Sequence, residues 1–86
     1  MGAHVYLVRC ADGTLYCGWT TDVARRVGEH QAGTASRYTR SRLPVALAWS
    51  KEVASRWDAL REEHRIKQLT RAQKLRLVVQ SSSRAV

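Results

Sequence analysis

Glu63 is the residue its helix does not explain. Over residues 56–68, Trp57, Ala59, Leu60, His64 and Ile66 define an apolar arc of about half the circumference, and Glu63 falls inside it. A carboxylate directed towards a core or cleft is costly unless it is paired or binds a metal ion. Two readings stand open here. One is a salt bridge to Lys67 one turn later, worth about a few tenths of a kcal/mol on an exposed face; the other is a cation ligand. Glu62 instead falls near Asp58 and Arg65, on the side expected to be solvated.

Two tyrosines and an Arg–His pair share the same interest. Asp12-Gly13 separates two strand-like runs and is a strong hairpin signal. A three-residue loop with Gly13 in the left-handed region pairs Cys10 with Thr14, Val8 with Tyr16 and Tyr6 with Gly18. Tyr6 and Tyr16 then become diagonal neighbours beside a glycine, on the face carrying Val8 and Cys10. Val5, Leu7, Leu15, Cys17 and Trp19 form the core face. A two-residue turn would shift the register by one and separate the tyrosines. In the helix that follows, Arg26 and His30 stand at i and i+4, on one edge of the apolar side made by Val23, Ala24 and Val27, and Arg25 points away.

The elements that must position these residues follow from local signals. Residues 4–10 and 14–20 read as strands, and Val45, Leu47 and Trp49 share one face of a third. Thr20 or Thr21 caps a helix over about 22–32, with Asp22 in its first turn and Gly33 as its stop. Ser55 with Asp58 begins the helix over 56–68, and Thr70 with Gln73 begins another over about 71–80. Residues 33–43 read as a basic loop and 81–86 as a frayed, flexible C-terminal tail. The order ββαβαα predicts one α+β domain over residues 1–80, a small three-stranded antiparallel sheet flanked by three helices.

Composition narrows the class. At 86 residues, with 44% hydrophobic and 26% charged, the chain is one globular domain. Its apolar runs are far shorter than the roughly 18 residues of a spanning helix, and no signal-peptide pattern opens it, so membrane partners are not expected. Twelve of fifteen basic residues are Arg, against seven acidic residues, for a net charge of +8. The guanidinium fork suits phosphate, so the excess points to a nucleic-acid partner, with simple solubility charge as the plainer account. In the basic loop Arg37, Tyr38, Arg40 and Arg42 can grip backbone phosphates, with Tyr38 stacking on a base or packing inward; a solvated loop is the alternative. Cys10 and Cys17 are too few for a disulfide framework and sit on opposite faces of the hairpin, which fits a reduced cytoplasmic protein. His4 and His64 read as structural or surface residues.

Val5-Tyr6-Leu7, ten residues before Tyr16-Cys17-Gly18, resembles the paired signature of the GIY-YIG nucleases. The helix Asp22-Val-Ala-Arg25-Arg26-Val-Gly-Glu-His30 is similar to theirs. Ala35-Ser-Arg37-Tyr38-Thr39-Arg40 and Ala59-Leu60-Arg61-Glu62-Glu63-His64-Arg65-Ile66-Lys67 resemble the small stand-alone bacterial members. They also resemble the nuclease domain of the eukaryotic endonuclease that acts on branched DNA. The resemblance covers about residues 4–78. It implies the GIY-YIG fold and phosphodiester hydrolysis with one divalent metal, Mg²⁺ most often, with Mn²⁺ as the other candidate. By position, Tyr6 would be the general base or position the attacking water, and Tyr16 would hydrogen-bond water or phosphate beside it. Arg26 would hold the scissile phosphate, His30 would support the water or base, and Glu63 would ligate the metal. A tyrosine is a poor base at its ordinary pKa of ~10, so the assignment needs Arg26 and the metal to favour phenolate. The chain departs from the family in having no Asn, a residue many members use near the phosphate. Better-known members obtain substrate choice from further domains or a protein partner.

Three functions follow as expectations. The first is a cytoplasmic metal-dependent nuclease acting on DNA ends or branches in repair, with RNA not separated from DNA. The second is a non-catalytic nucleic-acid-binding module retaining the fold. The third is a basic protein that joins a larger assembly and has no affinity for free DNA at moderate salt.

Overall fold

A computed structural model describes residues 2–84. The chain order is β1 (Ala3–Arg9), β2 (Leu15–Thr20), α1 (Val23–Ala32), α2 (Arg37–Arg40), β3 (Ala46–Val53), α3 (Arg56–Lys67) and α4 (Arg71–Arg84). The three strands form an antiparallel sheet in the order β2-β1-β3. The α+β class and the sheet agree with the sequence reading, with one short helix added.

The hairpin has the expected register: Tyr6 faces Gly18 and Val8 faces Tyr16. Gly13 takes φ of 85°, the left-handed region that favours glycine, and Cys10 N–H donates to the Thr14 carbonyl at 2.9 Å. This turn decides which side chains face which side. Val5, Leu7, Leu15 and Cys17 pack with Ala59 and Ile66 of α3, joined by Trp19, Trp49, Val53 and the apolar side of α4. On the opposite face Tyr6, Val8 and Cys10 are buried as well, and α1 packs over β1 and β3. Both faces of the central strand are therefore covered. Cys10 and Cys17 are buried free thiols on opposite faces.

Several boundaries differ from expectation, each for a local reason. Asp22 is the cap of α1, not a first-turn residue, because its own side chain accepts from Arg25 N–H. Gly33 ends that helix with φ of 81°, as expected. The basic loop contains α2, whose cap Ser36 accepts from Thr39 N–H. A bulge in the β1–β3 ladder leaves Ala48 outside the register, so Leu47 faces Val8 while Trp49 faces Leu7. The extra residue breaks the alternation, and Leu47 and Trp49 do not share a face. The caps at Ser55 and at Thr70 with Gln73 form as expected. α4 continues through Arg84, beyond the expected end near 80. Of the tail expected over 81–86, residues 85 and 86 lie outside the described residues.

Candidate active site

β1 carries Tyr6 onto the face covered by α1, and Gly18 opposite it leaves room for the ring. A Cβ at Gly18 would stand 2.5 Å from the Tyr6 hydroxyl and 2.7 Å from Cζ. That hydroxyl lies 2.8 Å from His30 Nε2, and His30 Nδ1 lies 2.8 Å from Thr39 Oγ1. Thr39 is held in turn by Ser36, whose Oγ is 2.9 Å from Thr39 Oγ1 and accepts the Thr39 N–H at 3.2 Å. A line of polar groups thus runs from β1 through α1 to α2, and Tyr6, His30 and Thr39 are buried. Tyr16 is half-buried and packs edge-on against His30, with ring centroids 5.3 Å apart; Tyr6 does the same at 5.6 Å.

Arg26 on α1 is close enough for its charge to act on the Tyr6 hydroxyl. Its side chain is 34% exposed, and its Nε lies 3.0 Å from Glu29 Oε1 without making an aligned hydrogen bond. Arg25 is more exposed and pairs with Asp22 and Glu29, so it points away as its position on the helix implies. Burial pushes Tyr6 up to about 12, overriding Arg26, which favours phenolate. The electropositive setting expected from the sequence is present but loses to desolvation. Burial, and then the charge of Arg26, lower the pKa of His30. At neutral pH the pair is an uncharged phenol on an uncharged imidazole.

The basic loop folds against the same tyrosines. Tyr38 stacks on Tyr16 with centroids 5.6 Å apart, and the Arg42 guanidinium sits 3.8 Å above the Tyr38 ring. Arg42 Nε also donates to Asp12 at 3.0 Å, and its Nη1 donates to the Tyr38 carbonyl at 2.9 Å. Arg42 is thus engaged within the protein. Arg37 and Arg40 are exposed and form no ion pair among the described residues.

Glu63 sits on the α3 side of the sheet, where its carbonyl accepts weakly from Cys17 Sγ at 4.0 Å and its carboxylate is 3.5 Å from Lys67. Among the described residues, no hydrogen bond, ion pair or ring contact joins it to Tyr6, Tyr16, Arg26 or His30. Glu62 is not on a solvated side. Its side chain is 15% exposed against 19% for Glu63, and Lys51 of β3 and Arg65 hold it. Those two bonds, Arg65 first, depress its pKa. The helix rests on Ala59 and Ile66, so both glutamates flank the contact line, while Trp57 is 64% exposed and Leu60 and His64 face outwards. The expected arc was centred too far towards Trp57.

Residues 2–76 match the GIY-YIG catalytic domain. The chain belongs to the GIY-YIG family. It is 56% identical to a UPF0213 protein of Halobacterium salinarum over 83% of this chain and 92% of that one. It is 47% identical to a UPF0213 protein of Streptococcus agalactiae, over 91% and 89%. Such GIY-YIG relatives are little longer than this one domain. The solution NMR structure of a UPF0213 protein from Bacillus halodurans is similar to this chain with a TM-score of 0.58 and 40% identity, covering 92% of this chain and 84% of that one. The family has a nuclease-type function and a nucleic-acid substrate, and its members generally use divalent metals.

The donor set suits one kind of metal. Among the described residues there is no group of three or more His, Cys, Asp or Glu side chains able to hold an ion. The Glu63 carboxylate, 19% exposed and 3.5 Å from Lys67, is a hard oxygen donor that suits a divalent ion keeping most of its waters. The sequence reading missed Thr39 and Ser36 as parts of the site. The signal was present in the Ser36-to-Thr39 spacing of a helix cap, inside a stretch read as a loop.

Proposed function

We propose that this chain is a divalent-metal-dependent nuclease that hydrolyses DNA phosphodiester bonds, selecting ends or branched structures in repair. The observation that carries this reading is the 2.8 Å hydrogen bond between Tyr6 and His30, with the charge of Arg26 acting on the same hydroxyl. Tyr6 donates to neutral His30 Nε2. A water bonded to the phenolic oxygen gives its proton to that oxygen as the Tyr6 proton passes to Nε2. Phenolate never accumulates, which suits a group whose pKa is pushed up to about 12. The hydroxide attacks phosphorus, the leaving oxygen takes a proton from solvent, and His30 finishes as imidazolium.

Arg26 places its fork on the phosphate oxygens, and half-exposed Tyr16 hydrogen-bonds water or phosphate beside it. Glu63 is the residue that would hold the divalent ion, Mg²⁺ or Mn²⁺. When bound, the ion supplies charge neutralisation on the phosphate and at the leaving oxygen. Arg37 and Arg40 contact flanking phosphates, while Tyr38 and Arg42 wall the site. A protein partner supplies further substrate choice, and RNA is the competing substrate. The two buried thiols suit a reducing compartment such as the cytoplasm.

The test is cleavage of end-labelled duplex, single-stranded, flap and branched DNA with Mg²⁺, Mn²⁺ or EDTA, comparing wild type with Glu63→Gln. Metal-dependent cutting that the variant loses, with binding retained, supports the reading. A second reading, a nucleic-acid-binding module without catalysis, is favoured by the pairing of Glu63 with Lys67. Salt-sensitive binding with no cutting of any substrate would select it.

A further inference from the structure

We infer that Thr39 is a positioning residue that sets the tautomer of His30, placing the ring proton on Nδ1 so that Nε2 faces Tyr6 as an acceptor. The inference deepens the nuclease reading and, for its role in turnover, rests on it.

Proton counting around the Tyr6 hydroxyl carries the argument. That hydroxyl has one proton and one hydrogen-bonding side chain against it among the described residues, His30 Nε2 at 2.8 Å. Arg26, whose charge acts on the hydroxyl, only donates. If Nε2 carried a proton, it would donate to the hydroxyl, whose own buried proton would then have no acceptor among the described side chains, an expensive arrangement. Tyr6 must therefore donate to Nε2, and the neutral ring must carry its proton on Nδ1. The atom 2.8 Å from Nδ1 is Thr39 Oγ1, which must then accept. It is free to do so, because its own proton has the Ser36 carbonyl at 3.4 Å and the Ser36 hydroxyl at 2.9 Å.

The charged and titratable groups facing this ring are Arg26 and Glu29 from α1, Tyr6 from β1 and Tyr16 from β2. None of these meets Nδ1, so Thr39 supplies the other half of the preference, the acceptor for the Nδ1 proton. The bond also survives the proposed reaction unchanged, since imidazolium carries a proton on Nδ1 as well. Thr39 is one turn of α2 built for the purpose: Ser36 caps the helix, takes the Thr39 N–H and orients its hydroxyl.

The test reads the imidazole nitrogens by long-range ¹H–¹⁵N correlation at neutral pH, in wild type, Thr39→Val and Thr39→Ser. Wild type should show Nδ1 as the protonated, pyrrole-type nitrogen and Nε2 as pyridine-type. Thr39→Val keeps the volume and removes the acceptor, so the two nitrogens should move towards a mixed or reversed tautomer; Thr39→Ser should restore the wild-type pattern. In cleavage, Thr39→Val should lower kcat by about 10²-fold, within the range for general acid–base groups, with KM within about twofold, and Thr39→Ser should recover most of it. Wild type with the proton on Nε2, or a Thr39→Val ring identical to wild type, would overturn the inference. If Thr39→Val does not fold, the wild-type tautomer and the Thr39→Ser spectrum decide alone. If wild type cuts no DNA yet shows the expected nitrogens, the nuclease reading fails and the Thr39 assignment stands.

Discussion

Gly18 and Tyr6 face each other across the β1–β2 ladder, and the missing side chain of one makes room for the ring of the other. The family signature is thereby a packing rule. The glycine permits a tyrosine to cross the neighbouring strand and meet His30.

Gly18→Ala should therefore disturb the site and the fold together. Its Cβ would stand 2.5 Å from the Tyr6 hydroxyl, so the ring must move and the bond to His30 must break. Overpacking of this kind costs about 1–3 kcal/mol. Chemical denaturation should show that loss, and the His30 ring signals should shift.

Alkaline stability should report the burial of Tyr6. Its folded pKa, raised to about 12 from 10.0, lies above the unfolded value. The neutral phenol's contribution is therefore intact below pH 10 and lost as pH rises from 10 through about 12. The full loss is about 2–3 kcal/mol at 1.36 kcal/mol per unit. Cys17, raised by burial to about 11 from 9.0, adds a similar slope that begins near pH 9. Tyr6→Phe should remove the upper part of the slope and leave the lower part, as read from urea midpoints between pH 8 and 12. His30 acts at the other end. Its folded pKa is depressed, so its contribution is present above pH 6.5 and falls as pH drops below that value.

Arg26→Ala should damage turnover far more than Arg25→Ala. The charge of Arg26 acts on the Tyr6 hydroxyl, whereas Arg25, more exposed, lies between Asp22 and Glu29 at the surface. The expected gap is at least about tenfold in kcat/KM, equivalent to about 1.4 kcal/mol. Equal effects would remove Arg26 from the site.

The exposed arginines of α2 should govern salt dependence. Arg37→Ala and Arg40→Ala should each reduce the slope of log K against log salt by about 0.7–0.9. Arg42→Ala should change that slope less, because Arg42 is held by Asp12 and lies on Tyr38. Fluorescence anisotropy over a salt series measures all three.

Much of this was legible in the chain because local chemistry decides it. Asp12-Gly13 sets the hairpin register, and with it the neighbourhood of Tyr6, Tyr16 and Gly18. Gly33, Ser55 and Thr70 mark helix ends through their own backbone or hydroxyl groups. What local pattern could not show depends on packing. Periodicity could not see that Ala59 and Ile66, with Trp57 outside, would rest on the sheet. It could not see the bulge at Ala48, or that α2 would bring Thr39 under His30 and Tyr38 onto Tyr16. Burial also decided the Tyr6 pKa against the influence of Arg26, and burial is a property of the assembled fold.

The most direct measurement is single-turnover cleavage of branched or flap DNA with saturating Mg²⁺ by wild type and Tyr6→Phe, alongside their DNA affinities. If Tyr6 passes the water's proton to His30, the variant loses at least about 10²-fold in rate while binding within about twofold of wild type. Cleavage by Tyr6→Phe within a few-fold of wild type would contradict the assignment.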